Sequence, residues 1–498
     1  MHKQIQASAL ALACGALAPL AQATNGYMSH GYSPADKGMA GAGAAAMPQD
    51  TLAIVANPAG VNQIGRRADV GLSWFMPRRE YNGLTPSDAF CTTGCTQGAF
   101  APIGSGDGTG TLRSRNEDFL IPNLGYSHPL DDRSAFGIAV FGNGGMNTDY
   151  RSAKTYQQLG TFGGNNRFAN PPHYLPPDPR AGMQVPGTLP VGGGNAGVNL
   201  EQIGLAFAYS REVADGLSLG ASVLLGYQTI EVKGVGGFQG FTQTFTQSML
   251  ASQTMSGVSA SNLSDNGQDS AWGYGFQLGG LWEINPMLAL GASYRTKMYM
   301  GKFDKYADLF AEGGKFDIPA VGTLGLVIRP NERLALAFDV QHIGYSDVPA
   351  IANPNDLALK CDLGAGLGQP SRPGATYDAR YCLGGSKGAG FGWDDMTVFK
   401  LGAQYAVNDT LKLRAGYSYG KNPIDGSQVA FNTLAPATVE EHVTIGASYL
   451  VKDNIELTFW GMYAPEKSVS GPGAFTADQA PEIGMEQYEV GLNVAFLY

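Results

Sequence analysis

MEQYEVGLNVAFLY, residues 485 to 498, closes the chain and decides how the rest of it is read. Its even positions, Tyr488, Val490, Leu492, Val494, Phe496 and the terminal Tyr498, are all apolar. Its odd positions, Gln487, Glu489, Gly491 and Asn493, are polar or small, and Ala495 and Leu497 close the strand. Side chains alternate faces along a strand, so one face here is greasy and the other wet. A half-buried strand of a soluble sandwich shares that pattern. An aromatic end after about ten alternating residues is instead the habit of an outer-membrane barrel strand.

The same alternation recurs upstream. Leu217, Leu219, Ala221, Val223, Leu225 and Tyr227 oppose Ser218, Gly220, Ser222, Gly226 and Gln228. Leu411, Leu413, Ala415, Tyr417 and Tyr419 oppose Lys412, Arg414, Gly416, Ser418 and Gly420. A soluble sandwich rarely sets two cations opposite five large apolar residues, whereas water in a lumen accommodates them. Polar turns stand at Asp131-Asp132-Arg133, Ala214-Asp215-Gly216, Asn285-Pro286, Asn331-Glu332, Asn408-Asp409 and Lys452-Asp453-Asn454. Long connections fall near 82–117, 146–200, 231–270, 305–315, 347–395, 423–437 and 466–484. Six short and seven long links join fourteen strands, with short periplasmic turns and both termini in the periplasm. Alternation is weaker over 118–130 and 316–329, which leaves the register there open.

Composition agrees. Mean hydropathy is −0.11, and after residue 23 no apolar run approaches the roughly 20 residues of a membrane helix. A barrel escapes that test, because lumen-facing residues cancel lipid-facing ones. The 70 glycines in 498 residues are about twice the usual share of about 7%, which suits small lumen positions. A net charge of −10 argues against a nucleic-acid partner.

Residues 1–23 read as a signal peptide, with Lys3, the apolar run ASALALACGALAPLA and the cleavage site Ala21-Gln22-Ala23. Cys14 leaves a lipoprotein reading open, although Ala11 stands where its motif prefers leucine. Four cysteines remain. In an exported chain, Cys91 with Cys95 and Cys361 with Cys382 are expected as two local disulfides; neither pair has a histidine nearby for zinc. Residues 24–66 do not alternate. They are small, weakly helical and too polar to face lipid, so they are expected inside the lumen as a hatch, with a periplasmic tail as the alternative. The barrel itself then spans 67–498.

Three stretches carry a family resemblance: NGYMSHGYSPADKGMAGAGAAA after the signal, the tripeptide Asn57-Pro58-Ala59, and FDIPAVGTLGLVIRPNERLALAFDVQHIGYSD at 316–347. With them the chain resembles the FadL/TodX (OmpP1) family of outer-membrane transporters for long-chain fatty acids and other hydrophobic compounds, from Thr24 to Tyr498. The resemblance implies an all-β, fourteen-stranded antiparallel transmembrane barrel plugged by an N-terminal hatch of short helices and irregular chain. It implies no enzyme activity and no cofactor, passive capture by outer loops, and lateral release beside a kinked third strand. Its partners are a long-chain fatty acid or similar hydrophobic molecule and the surrounding lipid and lipopolysaccharide; a monomer is expected.

Candidate residues follow. Asn143, Gly144 and Gly145 stand where the family's kink falls, or else simply end the third strand. Phe238, Phe241, Phe245 and Met249, spaced by three, four and four, are expected on one face of a short loop helix, as a ligand groove or as rim packing. Arg295 with Lys297, and Lys412 with Arg414, share lumen parity. They would hold a carboxylate or pair with the hatch and with Asp339, Glu440 and Glu456. Gly38, Gly41 and Gly43 lack dinucleotide spacing and a preceding strand. An outer-membrane lipase would need Ser and His together; His442 faces the lumen and His342 the lipid, with no serine evident beside either. A general diffusion porin is the stronger alternative. It would lack a plug, so removing residues 24–66 and measuring conductance separates the two.

Overall fold

The computed structural model describes residues 24–82, 111–151, 195–252, 260–368, 374–471 and 482–498. The wall is built of β1 (Arg67–Asn82), β2 (Phe119–Asp131), β3 (Ser134–Asn147), β4 (Asn195–Ala214), β5 (Leu217–Lys233), β6 (Asp269–Asn285) and β7 (Leu288–Arg295). It continues through β8 (Ala320–Asn331), β9 (Leu334–Gly344), β10 (Met396–Ala406), β11 (Leu411–Tyr419), β12 (Glu441–Lys452), β13 (Ile455–Ser470) and β14 (Glu482–Leu497). Each is antiparallel to its chain neighbour, and β14 pairs back onto β1 from Arg67↔Leu497 to Asn82↔Glu482. The ring is closed with fourteen strands, and each has a hydrogen-bonded neighbour on both sides. Short strands at Thr111–Arg113, Tyr150–Arg151 and Tyr299–Met300 extend the loop side. Among the described residues no helix is long and apolar enough to cross a membrane.

Alternation becomes burial. On β14, Val490 and Leu492 are 48% and 41% exposed, while Glu489 and Asn493 are fully buried. Large apolar residues are exposed on strands all round the ring, including Leu219, Phe276, Leu324, Leu401 and Ile445. Water would not tolerate such a band; hydrocarbon requires it. The six polar turns join the strands where expected, and Asx side chains fix four of them. Asn331 Oδ1 accepts from the amides of Arg333 and Leu334, and Asn408 Oδ1 from those of Thr410 and Leu411. Of the uncertain stretch 316–329, residues 316–319 precede β8, which begins only at Ala320.

Residues 24–66 lie within the ring. They hold α1 (Pro34–Lys37), α2 (Ala53–Ala56), a 3-10 turn at Pro58–Gly60 and α3 (Val61–Ile64). Ser33 caps α1 by accepting from Asp36 N, and its hydroxyl donates to Asp50 at 2.6 Å. Helices this short leave many amides without internal partners. Inward side chains of the wall supply them: Asp339 accepts from Gly43 N and Ala45 N, Asp69 from Thr51 N, and Thr444 Oγ1 from Ala40 N. Lys37 Nζ meets Glu489 at 2.6 Å, and Arg414 donates to Gln49 at 2.9 Å. Polar partners on opposite walls hold the segment as a plug.

Candidate functional site: hatch, wall window and outer pocket

The β2–β3 ladder runs from Asp131↔Ser134 up to Leu124↔Val140 and stops. Above that level β2 still pairs with β1, as far as Phe119↔Phe75, and β3 still pairs with β4, as far as Asn147↔Asn199. The two strands meet again at their tops, where Arg115 N donates to Asp149 O at 2.9 Å and Asp149 N to Ser114 Oγ at 3.0 Å. The wall therefore has a bounded window between residues 119–123 and 141–147. Its height matches the outward residues Leu72 and Trp74, both nearly half exposed, so the interruption lies at hydrocarbon depth.

A bulge causes it. On β3, Gly142↔Ile203 is followed by Gly144↔Gln202, which leaves Asn143 as the extra residue and bends the strand. The cluster Asn143, Gly144, Gly145 thus lies inside β3, which continues to Asn147. The freed edge of β3 bonds to the hatch: Ser29 N donates to Asn143 O, and Gly145 N to Tyr27 O at 3.0 Å. Gly144 has no alternative there, because any Cβ would overlap the Tyr27 carbonyl. The Asn143 side chain accepts from Arg295 Nη1 at 3.0 Å and donates to Gln202, which donates to Gln228, which donates to Phe316 O. A polar chain across the lumen pins the bulge. Against the inner side of the window lies a buried apolar patch of Phe75, Phe119, Ile121, Met462 and Met485.

Above the hatch, four long connections surround a cavity of about 50 Å³ whose lining includes Val235, Phe238, Phe310, Leu383, Phe391 and Phe431. Rings continue downward from it: Phe391 to Trp393, Trp393 to Tyr345 at 5.2 Å, and Tyr345 to Tyr27 at 5.5 Å. Tyr345 also donates its hydroxyl to Asn25 O. One apolar cluster therefore reaches from the outer cavity to the hatch and to Tyr81 and Tyr150 above the window. The expected single loop helix is two pieces. Phe238 and Phe241 sit in a 3-10 turn (Gly236–Phe241), and Phe245 and Met249 on α4 (Gln243–Ser252). Thr242 between them is extended, and its hydroxyl accepts from Phe245 N as an N-cap. Of the four, Phe238 lines the cavity, Phe241 packs on its surrounding cluster, Met249 is buried and Phe245 half-buried. Leu383 in the cavity wall exchanges backbone bonds with Phe241 and Gln243, and the adjacent Cys382 is bridged to Cys361. Cys91 and Cys95 lie outside the described residues.

Asn57-Pro58-Ala59 is built against the wall. Asn57 Oδ1 accepts from Ala59 N, and its Nδ2 donates to Ala45 O at 2.6 Å and to Gly280 O of β6 at 3.0 Å. Gly220 and Gly279 leave room for the motif; a Cβ on either would collide with it. The four lumen cations divide. Arg414 bonds Gln404, Ser448 and the hatch residue Gln49. Lys297 pairs with Asp317 at 3.7 Å, and Lys412 is half-buried in the field of Glu456. Arg295 is buried beside a second cavity between hatch and wall and donates to Asn143 and Tyr32; among the described residues no carboxylate pairs with it. Asp339 serves the hatch, Glu456 pairs with Arg67, and Glu440 with Lys467. One expectation needs correcting. Cross-strand pairing does bring Ser418 Oγ to 3.2 Å from His442 Nδ1. Both are fully buried, with His442 stacked on His30 of the hatch, so the pair packs the plug. His342 is exposed beside Thr397 and Asp395. Among the described residues no cluster suits a metal ion.

A family model described as outer membrane protein transport protein (OMPP1/FadL/TodX) matches residues 14–164 and 191–471. Outer membrane protein P1 of Haemophilus influenzae is 22% identical over 468 residues, covering 85% of this chain and 91% of that protein. Among solved structures, the toluene transporter TodX of P. putida is 18% identical with a TM-score of 0.59, covering 94% of this chain and 99% of that one. A Pseudomonas aeruginosa FadL homologue is 17% identical with a TM-score of 0.59, covering 95% and 99%. At such identities these structures speak for the fold.

Proposed function

The chain belongs to the OMPP1/FadL/TodX family of outer-membrane transport proteins, and from that premise we propose that it passively admits long-chain fatty acids or similar hydrophobic compounds and releases them sideways. The interrupted β2–β3 ladder carries this reading. An apolar solute keeps its transfer free energy, about 0.8 kcal/mol per CH₂, if it passes from the outer cavity through the window into hydrocarbon. Released downward into the periplasm it would lose that energy, and the hatch stands in the way. Relatives of this fold that are named for toluene or as monoaromatic hydrocarbon channels support an apolar substrate class. Residues 24–66 act in this reading as a hatch whose N-terminus gates the window, and Arg295 is the lumen cation placed to meet an anionic head group. A general porin is poorly supported, because the plug is pinned to β6 through Gly280, to β9 through Asp339 and to β14 through Glu489, on different sides of the lumen. A lipase is poorly supported by a Ser–His pair sealed from solvent.

Deleting Asn143 tests the route. Removal brings Gly142↔Ile203 and Gly144↔Gln202 into regular register, which straightens β3. Uptake into cells should fall at least about tenfold, roughly the worth of 1.4 kcal/mol of barrier, while the purified barrel still binds ligand. Uptake equal to the parent's would overturn lateral release.

A further inference from the structure

We propose that Arg79 is an anion-binding residue at the extracellular lip of the wall window, taking the carboxylate of an amphiphile whose hydrocarbon chain lies in the window. The proposal rests on the lateral-release reading and adds to it a second, separately testable site.

Arg79 is the odd cation of the lumen. It faces inward on β1 and is 2% exposed, yet neither of its terminal nitrogens has a hydrogen-bond partner. Other buried cations are provided for: Arg67 by Asp69 and Glu456, Lys37 by Glu489, Arg414 by three side chains. Glu80, its chain neighbour, points to Arg113 instead, and among the described residues no carboxylate pairs with Arg79. Glu117 acts on it only through its field, without forming an ion pair; a buried guanidinium without a bonded counter-charge is costly, and an arriving anion offsets that cost.

Its surroundings define the anion. Arg79 pairs across the ladder with Met485, and Phe75 lies four residues below on the same face. Both belong to the apolar patch that also holds Phe119 and Ile121 at the window. Four residues are about 13 Å of strand, a length suited to an alkyl chain. The Arg79 carbonyl accepts from Ser114 N, and Ser114 is the residue that closes the window's top by accepting from Asp149 N. Outside, Arg78 stacks on Tyr488 at 5.2 Å, in the aromatic belt that marks the interface. A carboxylate on Arg79 would thus sit at head-group depth while its tail faces the hydrocarbon. That is the orientation a fatty acid takes in the outer leaflet, so the site would deliver the ligand already aligned.

The test compares a fluorescent long-chain fatty acid with its methyl ester, using the full-length protein and its Arg79→Met and Arg79→Lys variants. Heat-modifiable gel migration verifies the folded barrel. In detergent, Arg79→Met should weaken binding of the acid about tenfold relative to the ester, the worth of one charge-assisted contact, and Arg79→Lys should retain most of it. In proteoliposomes the same variant should slow delivery of the acid and leave the ester unchanged. An unaltered acid-to-ester ratio, or equal losses for both ligands, overturns the proposal. Failure of the lateral reading shows elsewhere, as normal delivery of both ligands by the Asn143 deletion.

Discussion

In the lower lumen, charge and hydrogen bonds tie hatch to wall beside apolar packing: Lys37 on Glu489, Asp339 under two hatch amides, Arg414 on Gln49. In the upper lumen, loops meet one another through rings and aliphatic chains: Phe238 on Phe431, Phe310 on Phe316, Trp393 on Tyr345. The contrast follows from what each half contains. Irregular backbone at membrane depth needs directional partners, and these also fix the hatch in one place. A passage for apolar solutes needs contacts that are non-directional and exchangeable. The window lies where the two regimes touch, since the bulged edge of β3 is bonded by Tyr27 and Ser29 of the hatch and faces the apolar cluster.

The sharpest way to break this contrast is Lys37→Met. Glu489 is fully buried, and losing its cation should cost the hatch about 3–5 kcal/mol. Protease cleavage of the hatch in an intact barrel, followed against urea, reads that loss. The double variant Lys37→Met/Glu489→Gln should recover a large part of it. If the single variant protects the hatch as well as the parent does, charge is not what holds the lower lumen.

Some of this was legible beforehand. β14 and the Asx turns were readable because period-two alternation and turn chemistry are local. The stretch at 118–130 was hard to read for a physical reason. Phe119 and Ile121 face a greasy lumen patch while Leu120 faces lipid, so both faces are apolar just where the window opens. The partner of Lys37 stands 452 residues away, and no local pattern announces it. Arg79 reads in sequence as one more strand arginine beside Arg78; only the ladder shows that one points out and the other in. The loop helix breaks in two because the Thr242 hydroxyl caps a new helix ahead of Phe245, which residue spacing alone does not show.

A smaller effect is expected at the motif that joins the hatch to β6. Asn57→Ala removes three hydrogen bonds, two of them to backbone carbonyls, at a cost of about 1–3 kcal/mol. Pro58→Ala loosens the same turn through the unfolded state. Barrel assembly, read by heat-modifiable migration, should be unchanged, while uptake falls sharply because the hatch no longer returns to one position. Normal uptake by the correctly inserted double variant would mean that the motif is dispensable for gating.

The upper lumen should respond most weakly, and Phe238 against Met249 measures how weakly. Phe238 lines the outer cavity and meets Phe431 edge-on at 5.4 Å, whereas Met249 is buried on α4 away from that lining. Phe238→Ala removes part of one wall of the cavity, so a bound apolar probe loses contact area worth about 1 kcal/mol. Its affinity, titrated by probe fluorescence in detergent, should drop severalfold. Met249→Ala leaves that wall in place and should alter affinity by less than about twofold, while lowering the melting temperature of the loop region. The remaining walls come from other connections and adjust to the gap, because contacts without direction can be re-made. Equal losses in the two variants would mean that the cavity is set by the fold of α4 as a whole, and the upper lumen would then be as rigidly specified as the lower.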